Sequence, residues 1–338
     1  MVRSFVAQSI SSASRFVAPG VLAALLCSAV APTATAQSVF TQVGQFSLPA
    51  GVDAWDVAPD GRVWGIVGTS IVRQTAVNAS TYTPIGSVPS GTVASFGASF
   101  LRISTTGVLA IGDNNFGAGA RVHLLEAANL STSAPTATSS LILGNYDARW
   151  SGSSLYVTGA GSDFVPFVSR VDYSDAATPL AAVRVITGIG GASGGVDFNA
   201  GRLFTGVGFD GGGFVSGDIR SFNLAAINSN PVATLYGSGT AIPGGPALSA
   251  STLAFDSNGT LLVGGFTGGE ALAINITTGT RTSLSPAGST GGYAVAFNAF
   301  TGEALISQGG VAYRYSVPAP AAVGAVAMMG VLAARRRR

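Results

Sequence analysis

Residues 54–74 read AWDVAPDGRVWGIVGTSIVRQ: a short apolar run, a turn on Gly61, a second apolar run, a Gly-Thr break and a third run. Through Trp55 and Val57 the pattern alternates as in a strand with one buried face. The turn glycine supplies the positive φ that a tight connection demands. The same order recurs in FLRISTTGVLAIGDNNFGAGARVHLLE (100–126), ARWSGSSLYVTGAGSDFVPFVSRVDY (148–173) and GVDFNAGRLFTGVGFDGGGFVSGDIRSFNL (195–224). It recurs again in LAFDSNGTLLVGGFTGGEALAINI (253–276) and AVAFNAFTGEALISQGGVAYRYSV (294–317).

The turn glycines of the six repeats are Gly61, Gly107, Gly152, Gly201, Gly259 and Gly302, at spacings of 46, 45, 49, 58 and 43 residues. That period matches one four-stranded blade per repeat. The chain resembles, in blade pattern, the broad six- and seven-bladed propeller superfamily. The expected fold is all-β, a six-bladed β-propeller over residues 37–316. The fourth strand of each blade is the run that follows the loop, such as TYTPIGSV at Thr81 to Val88. The last repeat stops with three strands, whereas VFTQVGQFSLP (39–49) precedes the first repeat as a strand without a blade. Pairing the two closes the ring and leaves no open edge. A β-sandwich or β-helix of similar strand spacing is the alternative, and irregular sandwiches rarely hold a common turn at this period.

Of 338 residues only 9% are charged, against about 25% in an average domain. All 17 cations are Arg, and six of these lie at the ends: Arg3, Arg15, Arg335, Arg336, Arg337 and Arg338. Between residues 37 and 316, 11 Arg face 15 acids, a net charge of −4. A mildly acidic body without a basic stripe excludes nucleic acid as partner. The single cysteine, Cys27, precedes the body, so no disulfide or cysteine metal site is expected in it.

Residues 1–36 have the three parts of a secretory signal peptide: Arg3 and Arg15, an apolar stretch from Phe16 to Val30, and Ala34-Thr35-Ala36 before Gln37. The alternative, an N-terminal membrane anchor, requires a longer uninterrupted span than Pro19 and Pro32 leave. Residues 317–338 are similarly tripartite: Val317-Pro318-Ala319-Pro320, an apolar run from Ala321 to Ala334, and Arg335 to Arg338. Two prolines end any strand or helix there. Terminal arginines behind a short apolar helix match the positive-inside rule. This order resembles the PEP-CTERM sorting signals of Gram-negative bacteria, with Ala319 where the usual tetrapeptide has Glu, the VPAP variant. The resemblance implies export and an exosortase-like sorting protease that passes the chain to the cell surface or exopolysaccharide matrix. It also implies at least transient membrane contact through the C-terminal helix. A permanent tail anchor is the alternative.

Candidate chemistry lies at the channel mouth, where the loops between second and third strands pair acids with phenylalanine: Asp113 with Phe116, Asp163 with Phe164, Asp210 with Phe214. Rings beside acceptors suit sugars, although Asp and Gly also simply make turns while Phe folds back onto a blade. Asp53, Asp56, Asp147 and Asp197 lie at or near the start of innermost strands, where converging carboxylates would suit Ca²⁺. They resemble, loosely, the channel site of gluconolactonase-like six-bladed enzymes, although Glu126, Glu270 and Glu303 do not fall where that family has its Glu ligand. The other reading has these aspartates capping turns or pairing with Arg149 and Arg202. His123, the only histidine, sits in a third strand away from the channel, and no Gly-x-Ser-x-Gly elbow accompanies it. The expectation is a non-catalytic surface or matrix module that binds a polysaccharide or surface protein and has no cofactor. The alternatives are a metal-dependent extracellular hydrolase or lyase, and a purely structural matrix component.

Overall fold

The six turn glycines all take positive φ, between 61° and 82°, and each closes the hairpin between the first and second strands of a separate sheet. In the computed structural model the described residues are 39–88, 97–113, 122–130, 136–137, 144–161, 165–173, 182–209, 218–244, 250–265, 269–287 and 291–318. The signal peptide expected over 1–36 and all but Val317 and Pro318 of the sorting segment lie outside them.

Six sheets follow one another along the chain, each ordered outward from its first strand. The innermost strands are Ala54–Val57, Ala98–Ile103, Gly144–Ser151, Ala192–Asn199, Thr252–Phe255 and Ala294–Asn298, in blades 1 to 6. Blade 1 takes Tyr82–Ser87 as its fourth strand. Blade 6 has only three strands from its own repeat, and its fourth is Thr41–Ser47, antiparallel to Val311–Ser316. The ring is thus closed by the N-terminal strand: a six-bladed β-propeller.

One apolar cluster fills each blade junction. Between blades 1 and 2, for example, Ile66 and Ile71 pack with Leu101, Leu109 and Leu125. Every blade is therefore covered on both faces. This corrects the expectation of half-buried first strands: Ala54, Trp55 and Asp56 are all buried in succession, because the alternating side chains enter two different junctions rather than a core and solvent.

The longest spacing, 58 residues between Gly201 and Gly259, comes from blade 4. After its third strand, Arg220–Asn223, a short helix runs over Leu224–Ser229, started by the Asn223 side chain accepting from Ala226 N at 2.9 Å. The chain then places Thr234–Leu235 parallel to the fourth strand of blade 3 before returning as Thr240–Ala241 in blade 4. The insertion laces two blades together at their rims.

The closing junction unites Phe46, Leu48, Trp55, Val63, Leu305 and Ala312. Within it Trp55 Nε1 donates to Ser307 Oγ at 3.0 Å, across 252 residues of chain. Ser307→Ala deletes the acceptor and leaves the buried indole in place. We expect a loss of about 1 kcal/mol in chemical denaturation, and an unchanged midpoint would contradict a role for this bond in closure.

Candidate site at the channel mouth

The innermost strands bring polar side chains to the axis of an otherwise apolar structure, and these side chains join every pair of neighbouring blades. Asp56 accepts from Ile103 N at 2.8 Å, Asp147 from Val196 N at 3.3 Å and Asp197 from Phe255 N at 2.6 Å, each reaching the innermost strand of the next blade. Thr252 Oγ1 accepts from Val295 N at 3.0 Å in the same manner. Between blades 6 and 1, Asn298 Nδ2 donates to Gly61 O at 2.9 Å. The junction of blades 2 and 3 uses Arg102. Its Nη2 pairs with Asp147 Oδ1, Nε donates to Ala148 O at 2.7 Å, and Nη1 donates to Leu101 O at 2.7 Å.

Arg149 extends the network: Nε lies 3.1 Å from Asp197 Oδ1, and Nη2 donates to Leu253 O at 3.0 Å. Burial pushes the Asp147 and Asp197 carboxyls up from the ordinary range, while Arg102 and Arg149 pull against it. Burial opposes charge on Arg149, but Asp197, Asp56 and Asp147 together keep it charged and raise its pKa. A buried pair in such a setting needs its remaining donors and acceptors filled; backbone groups of other blades take up Arg102 Nε, Arg149 Nη2 and one oxygen each of Asp147 and Asp197, whereas Arg149 Nε makes no hydrogen bond among the described residues.

Above this girdle lies a cavity of about 350 Å³. Its wall comes from the starts of innermost strands (Val52 to Trp55, Ser99 and Phe100, Tyr146, Ser251 and Thr252, Tyr293) and from the turn of blade 6 at Ser307 to Gly310. Hydroxyl and amide groups of Ser99, Ser251, Thr252 and Gln308 share it with the rings of Trp55, Phe100 and Tyr146. Burial raises the Tyr146 phenol above its ordinary value. On the other side of Arg102 a second cavity of about 220 Å³ is lined by Asp56, Ile103, Arg149 and Trp150. Arg102 borders both cavities.

The four aspartates do not form one site. Asp53 is exposed at the mouth, accepting from Gly68 N at 3.1 Å. Asp56, Asp147 and Asp197 sit within their strands rather than at the starts, buried and directed to the next blade. Among the described residues no three His, Cys, Asp or Glu side chains come together as a ligand set. Ca²⁺ takes six to eight oxygens, and a girdle in which guanidinium groups face the carboxylates does not fit it. Of the two partners considered for them, Arg149 pairs with Asp197, whereas Arg202 hydrogen-bonds Ser221 instead.

Asp113 ends the second strand of blade 2 and is buried, 4.0 Å from His123 Nε2, rather than displayed on a loop. His123 is itself buried in the third strand, as its position suggested. Phe116, Asp163, Phe164, Asp210 and Phe214 lie outside the described residues. Sequence reasoning missed Arg102, Ser99 and Tyr146. Arg102 carried a signal, being the one charge in the apolar run FLRI; the other two resemble many similar residues in the chain.

No family model and no curated protein matches the sequence. Among solved structures, a PQQ-bound aldose sugar dehydrogenase from Streptomyces coelicolor matches with a TM-score of 0.58 at 12% identity, over 82% of this chain and 97% of that one. A gluconolactonase from Xanthomonas campestris matches with a TM-score of 0.54 at 11% identity, covering 79% and 88%. A chain of a nidogen/laminin complex matches with a TM-score of 0.55 at 12% identity, covering 72% and 84%. Likenesses at this identity establish the propeller fold alone.

Proposed function

We propose that this propeller is exported to the cell surface or extracellular matrix of a Gram-negative-type bacterium, where it binds saccharide at the channel mouth without transforming it. The observation that carries this reading is the 350 Å³ cavity itself. Its size suits one or two sugar rings, and it combines the half-buried ring of Tyr146 with hydroxyl and amide groups. The acids beneath it are engaged: Asp147 by Arg102 and by the Val196 amide, Asp197 by Arg149 and by the Phe255 amide. Residues 1–36 and 317–338 supply the addresses, and export machinery and an exosortase-like protease are the partners they imply.

Titration calorimetry of the purified chain against oligosaccharides released from bacterial exopolysaccharide tests the site. Tyr146→Ala should weaken binding by about threefold to tenfold, the worth of one aromatic contact. Gln308→Ala should weaken it by a similar amount through a lost hydrogen bond. Saturable binding that both variants leave unchanged would place the ligand elsewhere, and no saturable binding would favour the purely structural role.

A further inference from the structure

The insertion of blade 4 borders a cavity of about 320 Å³, set between the third strand Arg220–Asn223, the helix Leu224–Ser229 and the returning segment up to Thr240. It shares no residue with the two axial cavities. Arg202 lies in its wall, on the second strand opposite Asn223. Its Nε donates to Ser221 Oγ at 3.2 Å, and its Nη2 donates to the same oxygen at 2.9 Å and to Ser221 O at 3.2 Å. Nη1 has no partner among the described residues. Arg62, Arg102, Arg149, Arg170, Arg220 and Arg314 each face a carboxylate. Arg202 faces none among the described residues, and no Asp or Glu lines its cavity.

The neutral groups of the wall are left with donors as well. Asn223 Oδ1 accepts from Ala226 N at 2.9 Å, and Asn230 Oδ1 accepts from Val232 N at 3.1 Å. Both side-chain amides thus commit their oxygen to the backbone and keep Nδ2 without a partner among the described residues. Thr234 and Thr240 add hydroxyls. One cation among donors, with no acid beside it, complements one carboxylate and the acceptor oxygens around it. A doubly charged phosphate would exceed the single charge on offer.

We propose that this rim cavity is a separate binding site for a hexuronate residue: Arg202 takes the sugar carboxylate, and the amides and hydroxyls take the ring oxygens. The site does not rest on the channel-mouth reading and stands or falls without it. Calorimetric titration of the purified chain with trigalacturonate tests it, with the fully methyl-esterified trisaccharide supplying the same rings without charge. The ester should bind at least about tenfold more weakly, the worth of one charge-assisted hydrogen bond. Arg202→Gln should cost a similar factor, but it also loosens Ser221. Ala226→Glu is therefore the second variant: it is exposed and lines the cavity, and it adds a repelling charge while keeping the hydrogen bonds of Arg202. It should weaken binding by at least about fivefold. Ala225→Glu, exposed on the same helix but outside the cavity, should stay within about twofold of the parent. No saturable binding, or equal binding of acid and ester, overturns the proposal. So does binding that Arg202→Gln and Ala226→Glu both leave unchanged, or that Ala225→Glu weakens as much as Ala226→Glu. Inorganic phosphate that displaces trigalacturonate at equal concentration would reduce the site to a general anion contact and overturn its assignment to a sugar.

Discussion

Gly194→Ala should destabilise the ring by at least about 3 kcal/mol, and the variant should accumulate as insoluble or partly unfolded protein. A β-carbon at this position would stand 2.0 Å from Ala250 O, 2.8 Å from Gly208 N and 3.0 Å from Ala250 C. All three are backbone atoms of neighbouring strands and cannot rotate away. At Gly195 the added atom would meet Leu253 N at 2.5 Å. Here blades 4 and 5 approach main chain to main chain, with Gly195 N donating to Ala250 O at 2.8 Å, and a side chain would wedge the junction open. Gly190→Ala, in the same glycine-rich run but with nothing within 4 Å of its built β-carbon, should stay within about 0.5 kcal/mol of the parent. Denaturant midpoints of the two variants check this; equal midpoints would refute the close approach.

Arg102→Met should cost about 3–5 kcal/mol. The substitution keeps most of the stem but removes the charge that faces the buried Asp147 carboxylate, and it strips donors from Ala148 O and Leu101 O. Asp147→Asn in the same background should recover more than about 1 kcal/mol, because a neutral amide needs no counter-charge while its oxygen still accepts from Val196 N. A double variant no more stable than Arg102→Met would mean that lost packing, rather than the stranded charge, sets the cost.

Much of the ring was legible along the chain because blades are local objects. Gly61, Gly107 and their four counterparts mark hairpins whose two strands are neighbours in sequence, and the missing fourth strand of the last repeat pointed to residues 39–49. The enlarged spacing between Gly201 and Gly259 announced an insertion but not its course, since Thr234–Leu235 pairs with a strand of the preceding blade. The candidate site was read less well. Asp56, Asp147 and Asp197 were correctly placed on innermost strands, and of the two readings considered for them, a Ca²⁺ site or pairing with arginine, Arg149 does pair with Asp197. Their partners are backbone amides and arginines of other blades, 45 to 58 residues away, and nothing in a local window distinguishes such an aspartate from one aimed at the channel.

The sequence by itself determined the number of blades, the position of each inner turn, the strand that closes the ring and the two terminal segments that resemble addresses. Each follows from a pattern carried within some fifty residues: glycine where φ must be positive, apolar runs of strand length, a count of strands that comes out one short at one end and one over at the other. Only the tertiary structure decided what faces the axis. There Arg102, Asp147, Arg149 and Asp197 meet among largely buried groups, where a lone charge is costly, so each charge is matched by whatever the adjoining blade presents. That match is set by the angle and height at which one blade sits against the next. The same adjoining contacts leave a cavity at the mouth above the girdle.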